Sequence, residues 1–308
     1  MSLVFDRIAI IGAGLIGASI ARAAHHHAAA AAIRLYDADP AVRQRARGLG
    51  LGEVVDDCRE AVAGAELVVL AVPVGAMGAA AAACAGGLSA GAIVTDTGSV
   101  KQAVVEAVAA VLPAAVHFVP GHPLAGTEHS GPDAGFATLF HNRWQILTPL
   151  SGQGPDYPAA VGKLERFWRA LGANVEHMDP MRHDVVLAVT SHLPHLIAFN
   201  IVAMAEDLET VTESEVVKYS ASGFRDFTRI AASDPTMWRD VFLNNRDAVL
   251  EVLGRFSEDL AALQRAIRWG EGDTLFGVFD RARRMRREVI DAGQDTPAPN
   301  WGRDEPLS

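Results

Sequence analysis

The sequence predicts an α/β protein in which a doubly wound, mainly parallel sheet is followed by an all-α C-terminal domain. Three observations predict it. Short β-branched runs alternate with alanine-rich helical stretches from Arg7 to Glu176, the rhythm of strand–helix–strand units around a buried parallel sheet. A glycine-rich turn follows directly on the first strand-like run. After Met178 the strand-like runs stop, and segments with helical periodicity continue to about Asp291.

Taken in order, Ile8–Ile11 reads as the first strand, Leu15–Ala24 as the helix after it, and Ile33–Tyr36 as the second strand. Leu67–Val72 and Ala92–Thr95 read as further central strands, each ending at polar or turn residues, where open α/β sheets bind ligands. Val116–Val119, Trp144–Leu147 and Asn174–Glu176 read as strands that extend the same sheet. Met181–Glu209 is apolar on more than one face and contains Pro194, so a long buried helix, kinked at the proline, is expected. These readings divide the chain into residues 1–178 (dinucleotide-type domain), 179–292 (helical substrate and dimerisation domain) and 293–308 (a proline-containing tail expected to be disordered).

Composition sets outer limits. Of 308 residues, 50% are hydrophobic and 21% charged, which suits two globular domains with ample core. A net charge of -10 argues against a phosphate-backbone binder, while leaving room for a small anionic substrate held by a few local arginines. Cys58 and Cys84 form no metal or disulfide pattern, and the N-terminus lacks a signal-type segment. A cytoplasmic protein with no nucleic-acid or membrane partner is expected. His25, His26 and His27 point in different directions from one helix end, so no metal is expected.

The turn Gly12-Ala13-Gly14-Leu15-Ile16-Gly17 joins a strand to a helix, the setting in which backbone N–H groups of the helix's first turn face a pyrophosphate. Gly12 permits the tight turn, Gly14 the approach of a phosphate, and Gly17 close helix–strand packing. Asp37 follows Gly17 by 20 residues, at the end of the second strand, where its carboxylate can accept hydrogen bonds from an adenine ribose. The pattern is that of a Rossmann domain and favours NAD over NADP, although Arg43 and Arg45 lie close enough in sequence to serve a 2′-phosphate. A turn that binds nothing is the bland alternative.

Three more sets of residues are polar where a core would be apolar, the third made of two segments. Thr95-Asp96-Thr97-Gly98-Ser99-Val100-Lys101 ends a central strand and opens a helix, and helix capping explains it as readily as ligand contact. Gly121-His122-Pro123-Leu124-Ala125-Gly126-Thr127-Glu128-His129-Ser130-Gly131 reads as a loop after a strand, with His122 placed to act on a bound molecule. Ser191-His192-Leu193-Pro194-His195 and Phe224-Arg225-Asp226-Phe227-Thr228-Arg229-Ile230-Ala231 put histidines and arginines in helical, largely apolar surroundings. A buried anion would account for them, and so would hydrogen bonds to carbonyls or to Asp226.

In their order and wording these motifs, with Ser233-Asp234-Pro235-Thr236-Met237-Trp238, resemble the prephenate/arogenate (cyclohexadienyl) dehydrogenases of tyrosine biosynthesis, from Ile8 to about Leu250. The resemblance implies a C-terminal domain like that of 6-phosphogluconate dehydrogenase and a homodimer formed through it. It implies cofactor contacts from Gly12, Gly14, Leu15, Ile16, Gly17, Asp37, Val72, Pro73 and Thr97. It also implies that His122 accepts the substrate hydroxyl proton as hydride leaves, with Ser99 orienting both. Arg229 would hold a carboxylate and His195 the far side chain of the substrate, while Glu128, Thr127 and Trp238 line or gate the pocket. The implied reaction is NAD-dependent oxidative decarboxylation of prephenate, arogenate or both.

Two rival readings stand beside it. One is another oxidoreductase on the same plan, a β-hydroxyacid dehydrogenase or imine reductase. The hydroxyacid enzymes use a lysine on the long helix, and Met181–Glu209 contains none. The other is an NAD-binding sensor without activity, which would leave five polar constellations unexplained.

Overall fold

A computed structural model describes residues 3–127, 129–212 and 221–291, with the side chains of 208–212 also outside the description. Glu128 and the tail expected to be disordered lie outside the described residues. The chain divides into two compact units, Met1–Arg246 and Asp247–Ser308.

The first unit is built on a six-stranded parallel sheet: β1 (Phe5–Ile11), β2 (Ala30–Tyr36), β3 (Glu53–Val54), β4 (Leu67–Leu70), β5 (Ile93–Asp96) and β6 (His117–Phe118). Their spatial order, β3-β2-β1-β4-β5-β6, is that of a Rossmann domain. Alternate residues of each strand feed cores on opposite faces, which is why the strands read as unbroken apolar runs. Ile8, Ile10, Leu67 and Val69 pack with α1 (Leu15–His26) and α6 (Tyr157–Ala170). Ala9, Ile11, Val68 and Leu70 pack with α3 (Cys58–Val62), α4 (Met77–Ala85) and α5 (Gln102–Ala109). The short helix α2 (Pro40–Gly48) is capped by the Asp39 carboxylate.

Trp144–Leu147 and Asn174–His177 do not extend this sheet. As β8 and β9 they form a second, three-stranded sheet with β7, Gly121–Pro123, a segment expected to be a loop. His122 pairs with Ile146 in antiparallel register. Three residues around a proline are too short to show alternation, so this strand was invisible until its partner was in place.

The helices after β9 are α7 (Pro180–Leu187), α8 (Leu193–Thr212), α9 (Ser222–Thr228) and α10 (Pro235–Asn244). Asp179 and Asp234 cap α7 and α10, each with proline in the first turn. The expected kink takes a different form: a π-helical turn, Ala188–His192, joins α7 to α8 just ahead of Pro194. Pro194 has no N–H for the usual bond four residues back, and the wider turn accommodates that.

The expected burial of this run also needs correction. Pro180–Asp207 is long and apolar enough to cross a membrane by length and composition, yet Met181, Val185, Val189, Val202 and Met204 are exposed in the single chain. The same run buries His183, Asp184 and His192 against polar partners that lipid could not supply. Among the described residues the second unit consists of α11, which starts at Arg246 and runs to Trp269, and α12 (Gly272–Asp291), with Leu260, Ile267, Phe276 and Phe279 exposed.

The glycine turn supplies a direct test. A Cβ on Gly17 would lie 1.9 Å from the Gly12 carbonyl oxygen, whereas one on Gly14 would meet nothing within 4 Å. Gly17→Ala is therefore expected to destabilise by about 1–3 kcal/mol or more, while Gly14→Ala melts close to wild type; scanning calorimetry of both variants measures the difference.

Candidate active site

At the first crossover Gly12 adopts φ +101°, and a Cβ there would strike the Ala71 carbonyl, so the turn requires glycine. Gly14 caps α1 without a side-chain acceptor, which leaves N–H groups of the helix's first turn available to an anion. Asp37 stands beside this turn: one carboxylate oxygen accepts the Ala13 N–H at 2.8 Å, the other the Asp39 N–H at 3.0 Å. Val72 is half-buried and Pro73 exposed, just past the end of β4. The Thr97 N–H donates to the Leu70 carbonyl at 3.1 Å, holding the next loop beside them. Arg43 donates to the carbonyls of Asp37 and Ala38 and pairs with Asp56, while Arg45 pairs with Asp133.

Beyond β5 the polar residues interlock. Lys101 is fully buried and donates to the Asp96 carboxylate and, at 2.6 Å, to the Gly121 carbonyl. Asp96 also accepts the N–H groups of Gly98 at 2.8 Å and Gly121 at 3.1 Å. The pair thus ties the end of β5, the start of α5 and the residue before His122. A buried ion pair left without one partner costs about 3–5 kcal/mol, so both residues are constrained together.

Asp184, on α7, accepts the N–H groups of Lys101 at 2.7 Å and Gln102 at 2.9 Å, capping α5 from another helix. His183 Nδ1 lies 2.8 Å from Asp184 Oδ1, and His183 Nε2 lies 2.9 Å from His122 Nδ1. Burial pushes His122 well below the ordinary histidine value of 6.5, with His183, Lys101 and His192 acting the same way. Burial likewise lowers His183, partly opposed by Asp184. All three rings, His192 included, are therefore neutral near pH 7.

On the helical side Asn245 donates to the Asp184 carbonyl at 2.9 Å and lies 3.0 Å from His192 Nδ1. Burial takes His192 down to about 4, and its Nε2 is enclosed near the Ser99 backbone without a well-formed hydrogen bond. His195 Nδ1 bonds the Ser191 carbonyl at 2.8 Å, and its ring stacks on Trp238 at 3.7 Å between centroids. Burial lowers the His195 imidazole, and the nearby Arg229 guanidinium lowers it further.

The structure thus gathers His122, His192, His195, Trp238, Arg229 and the Ser99 backbone into one neighbourhood. The Thr127 hydroxyl accepts the His129 N–H at 3.3 Å, a contact within its own loop. Carbonyl bonding does account for His195 Nδ1, one of the two explanations the sequence left open. Sequence reasoning missed His183, Asp184 and Asn245 altogether and quoted Lys101 and His192 without assigning them a role. The available signal was the Asp179-Pro180 helix start, which dates the helix to place His183-Asp184 in its first turns, a polar pair ahead of an apolar run.

Two family models cover most of the chain: prephenate dehydrogenase, nucleotide-binding domain, over residues 20–177, and prephenate dehydrogenase, dimerization domain, over residues 179–281. The chain is 46% identical over 285 residues to the cyclohexadienyl dehydrogenase of Zymomonas mobilis, covering 92% of this chain and 96% of that protein. It is 34% identical to the Bacillus subtilis prephenate dehydrogenase, covering 93% of this chain and 76% of that one. Among solved structures, prephenate dehydrogenase from A. aeolicus in complex with hydroxyphenyl propionate and NAD+ superposes with a TM-score of 0.85 at 33% identity, over 94% of this chain and all of that one. Synechocystis arogenate dehydrogenase gives a TM-score of 0.75 at 25% identity, over 92% of this chain and 99% of that one. Sequence and fold agree over nearly the whole chain, and it belongs to the prephenate dehydrogenase family of oxidoreductases.

Proposed function

We propose that this chain catalyses the NAD-dependent oxidative decarboxylation of prephenate, arogenate or both, with His122 as proton acceptor. The observation that carries the reading is a buried, neutral His122 at the mouth of the parallel sheet, grouped with the histidines, Trp238 and Arg229 of the helical segments. A neutral imidazole is the form that can take a proton.

The residues around the glycine turn suit a dinucleotide. An uncapped helix N-terminus and the open space at Gly14 would receive the pyrophosphate, and Asp37 would receive the ribose. Leu15, Ile16 and Gly17 shape the turn, with Val72, Pro73 and Thr97 lining its far side. Arg43 and Arg45 are engaged with carbonyls and carboxylates, which favours NAD over its 2′-phosphorylated form. When bound, the nicotinamide supplies the hydride acceptor.

His122 holds the hydroxyl proton while hydride leaves the same ring carbon. The resulting carbonyl is conjugated to the carboxylate-bearing carbon, so loss of carbon dioxide sends its electron pair through the ring to that oxygen. The phenol oxygen then regains the proton. Ser99 orients the hydroxyl, Arg229 forks onto a carboxylate, and His195, stacked on Trp238, meets the substrate side chain. In this reading Thr127 and Glu128 contribute to substrate binding.

The same reading assigns residues 1–178 to cofactor binding and 179–292 to substrate binding and dimerisation. The exposed apolar side chains of Pro180–Asp207 and of α11 and α12 support a second copy as their cover, in keeping with a region whose family model is described as a dimerization domain. The free thiols of Cys58 and Cys84 fit a cytoplasmic setting.

An absorbance assay of reduced cofactor with prephenate and arogenate in parallel, each with NAD and NADP, tests the assignment; turnover is expected with at least one substrate and NAD, and silence with both overturns it. His122→Asn is expected to lower kcat by roughly 10²–10⁴-fold while NAD still binds. In the wild type, kcat/KM should stay level through neutral pH and fall only well below pH 6.5, because the acid form of His122 cannot accept a proton and burial depresses its pKa. Arg229→Ala is expected to raise KM by roughly 10–100-fold, the effect of losing a charge-assisted hydrogen bond, with a smaller change in kcat.

A further inference from the structure

The role of His122 requires its lone pair on one particular nitrogen, and the contacts behind it bear on which one. Asp184 accepts two backbone N–H groups, from Lys101 and Gln102, the arrangement that suits an ionised carboxylate. A carboxylate can only accept, so the proton in its contact with His183 sits on His183 Nδ1. A neutral His183 then has a bare Nε2. That nitrogen must accept, and the proton in the 2.9 Å contact with His122 sits on His122 Nδ1. A neutral His122 is left with its lone pair on Nε2.

We propose that His183 and Asp184 are positioning residues that hold His122 in the Nδ1-protonated tautomer and so leave Nε2 as the proton acceptor of the reaction. The sequence of contacts is one-directional: carboxylate, imidazole, imidazole, with each proton placed by the group behind it. The anchor is rigid, since Asp184 caps α5 and its carbonyl accepts from Asn245. The other charged or titratable groups facing the pair do not compete for these positions. Lys101 is committed to Asp96 and Gly121, and His192 to Asn245. Once Nε2 takes the substrate proton, the imidazolium keeps its Nδ1–H bond to His183, with the Asp184 carboxylate one ring further on. No bond other than the N–H at Nε2 is made at His122, and the proton returns to the product oxygen.

The inference rests on the proposed role of His122, and the experiments separate the two. His183→Leu removes the acceptor behind Nδ1 and is expected to lower kcat by roughly 10²-fold or more, the scale of general-base catalysis, with the NAD dissociation constant and substrate KM near wild type. His183→Gln, whose carbonyl can accept from His122 and whose amide can donate to Asp184, is expected to restore most of that loss; a merely structural role would not separate these variants in kcat alone. Nitrogen-15 NMR of histidine-labelled wild type, with the His122 signal identified by its loss in His122→Asn, is expected to show a protonated Nδ1 and a bare Nε2 at neutral pH. A wild-type kcat in His183→Leu, or an Nε2-protonated His122 in the wild-type spectrum, overturns the proposal, and the spectrum decides even where the variants fail to fold. Full turnover in His122→Asn would instead remove the proposed role of His122 itself, whatever the tautomer.

Discussion

The arrangement depends on one buried carboxylate. Asp184 sits on the helical side of the first unit, yet its oxygens are matched by the first N–H groups of a helix that follows the parallel sheet. A buried acceptor left unmatched costs about 1–3 kcal/mol, more when charged, so this contact specifies how α7 meets α5. The next residue back, His183, is carried by the same turn and reaches the catalytic candidate His122. The position of the histidine cluster is thus an outcome of capping, the most ordinary demand a helix makes.

A second buried pair works on the other side of His122. Asp96 and Lys101 close around the peptide at Gly121, so the short strand bearing His122 is held from behind as well as from the side. Between the two anchors the rings lose solvent and remain neutral. Burial holds the imidazole in its neutral form, and the hydrogen bonds of the two anchors are what make that burial tolerable. The π turn at Ala188–His192 belongs to the same economy of shape, since it carries His192 into the cluster and brings α8 round so that His195 stacks on Trp238.

Much of this was legible along the chain. Unbroken apolar runs require a sheet covered on both faces, and Gly17 answers to a backbone contact with Gly12 just before it, while the positive φ of Gly12 marks a tight turn. Caps such as Asp179-Pro180 and Asp234-Pro235 mark helix starts within four residues of themselves. Local rules of this kind need no knowledge of distant partners, and the polar segments stood out because they broke them. The second sheet did not stand out, because β7 is three residues long and exists only by pairing with Ile146 and its neighbours.

What the sequence by itself determined, then, was the parallel sheet, the glycine turn with Asp37, the change to helices after Met178 and the segments that carry chemistry, all of which follow from periodicity and short-range sterics. Tertiary structure alone decided which of those polar residues touch. Asp184 and Lys101 are 83 positions apart, and His122 and His183 are 61 apart. No periodicity links them; they meet because buried donors and acceptors must be paired, and only the packed fold determines which partner is within reach.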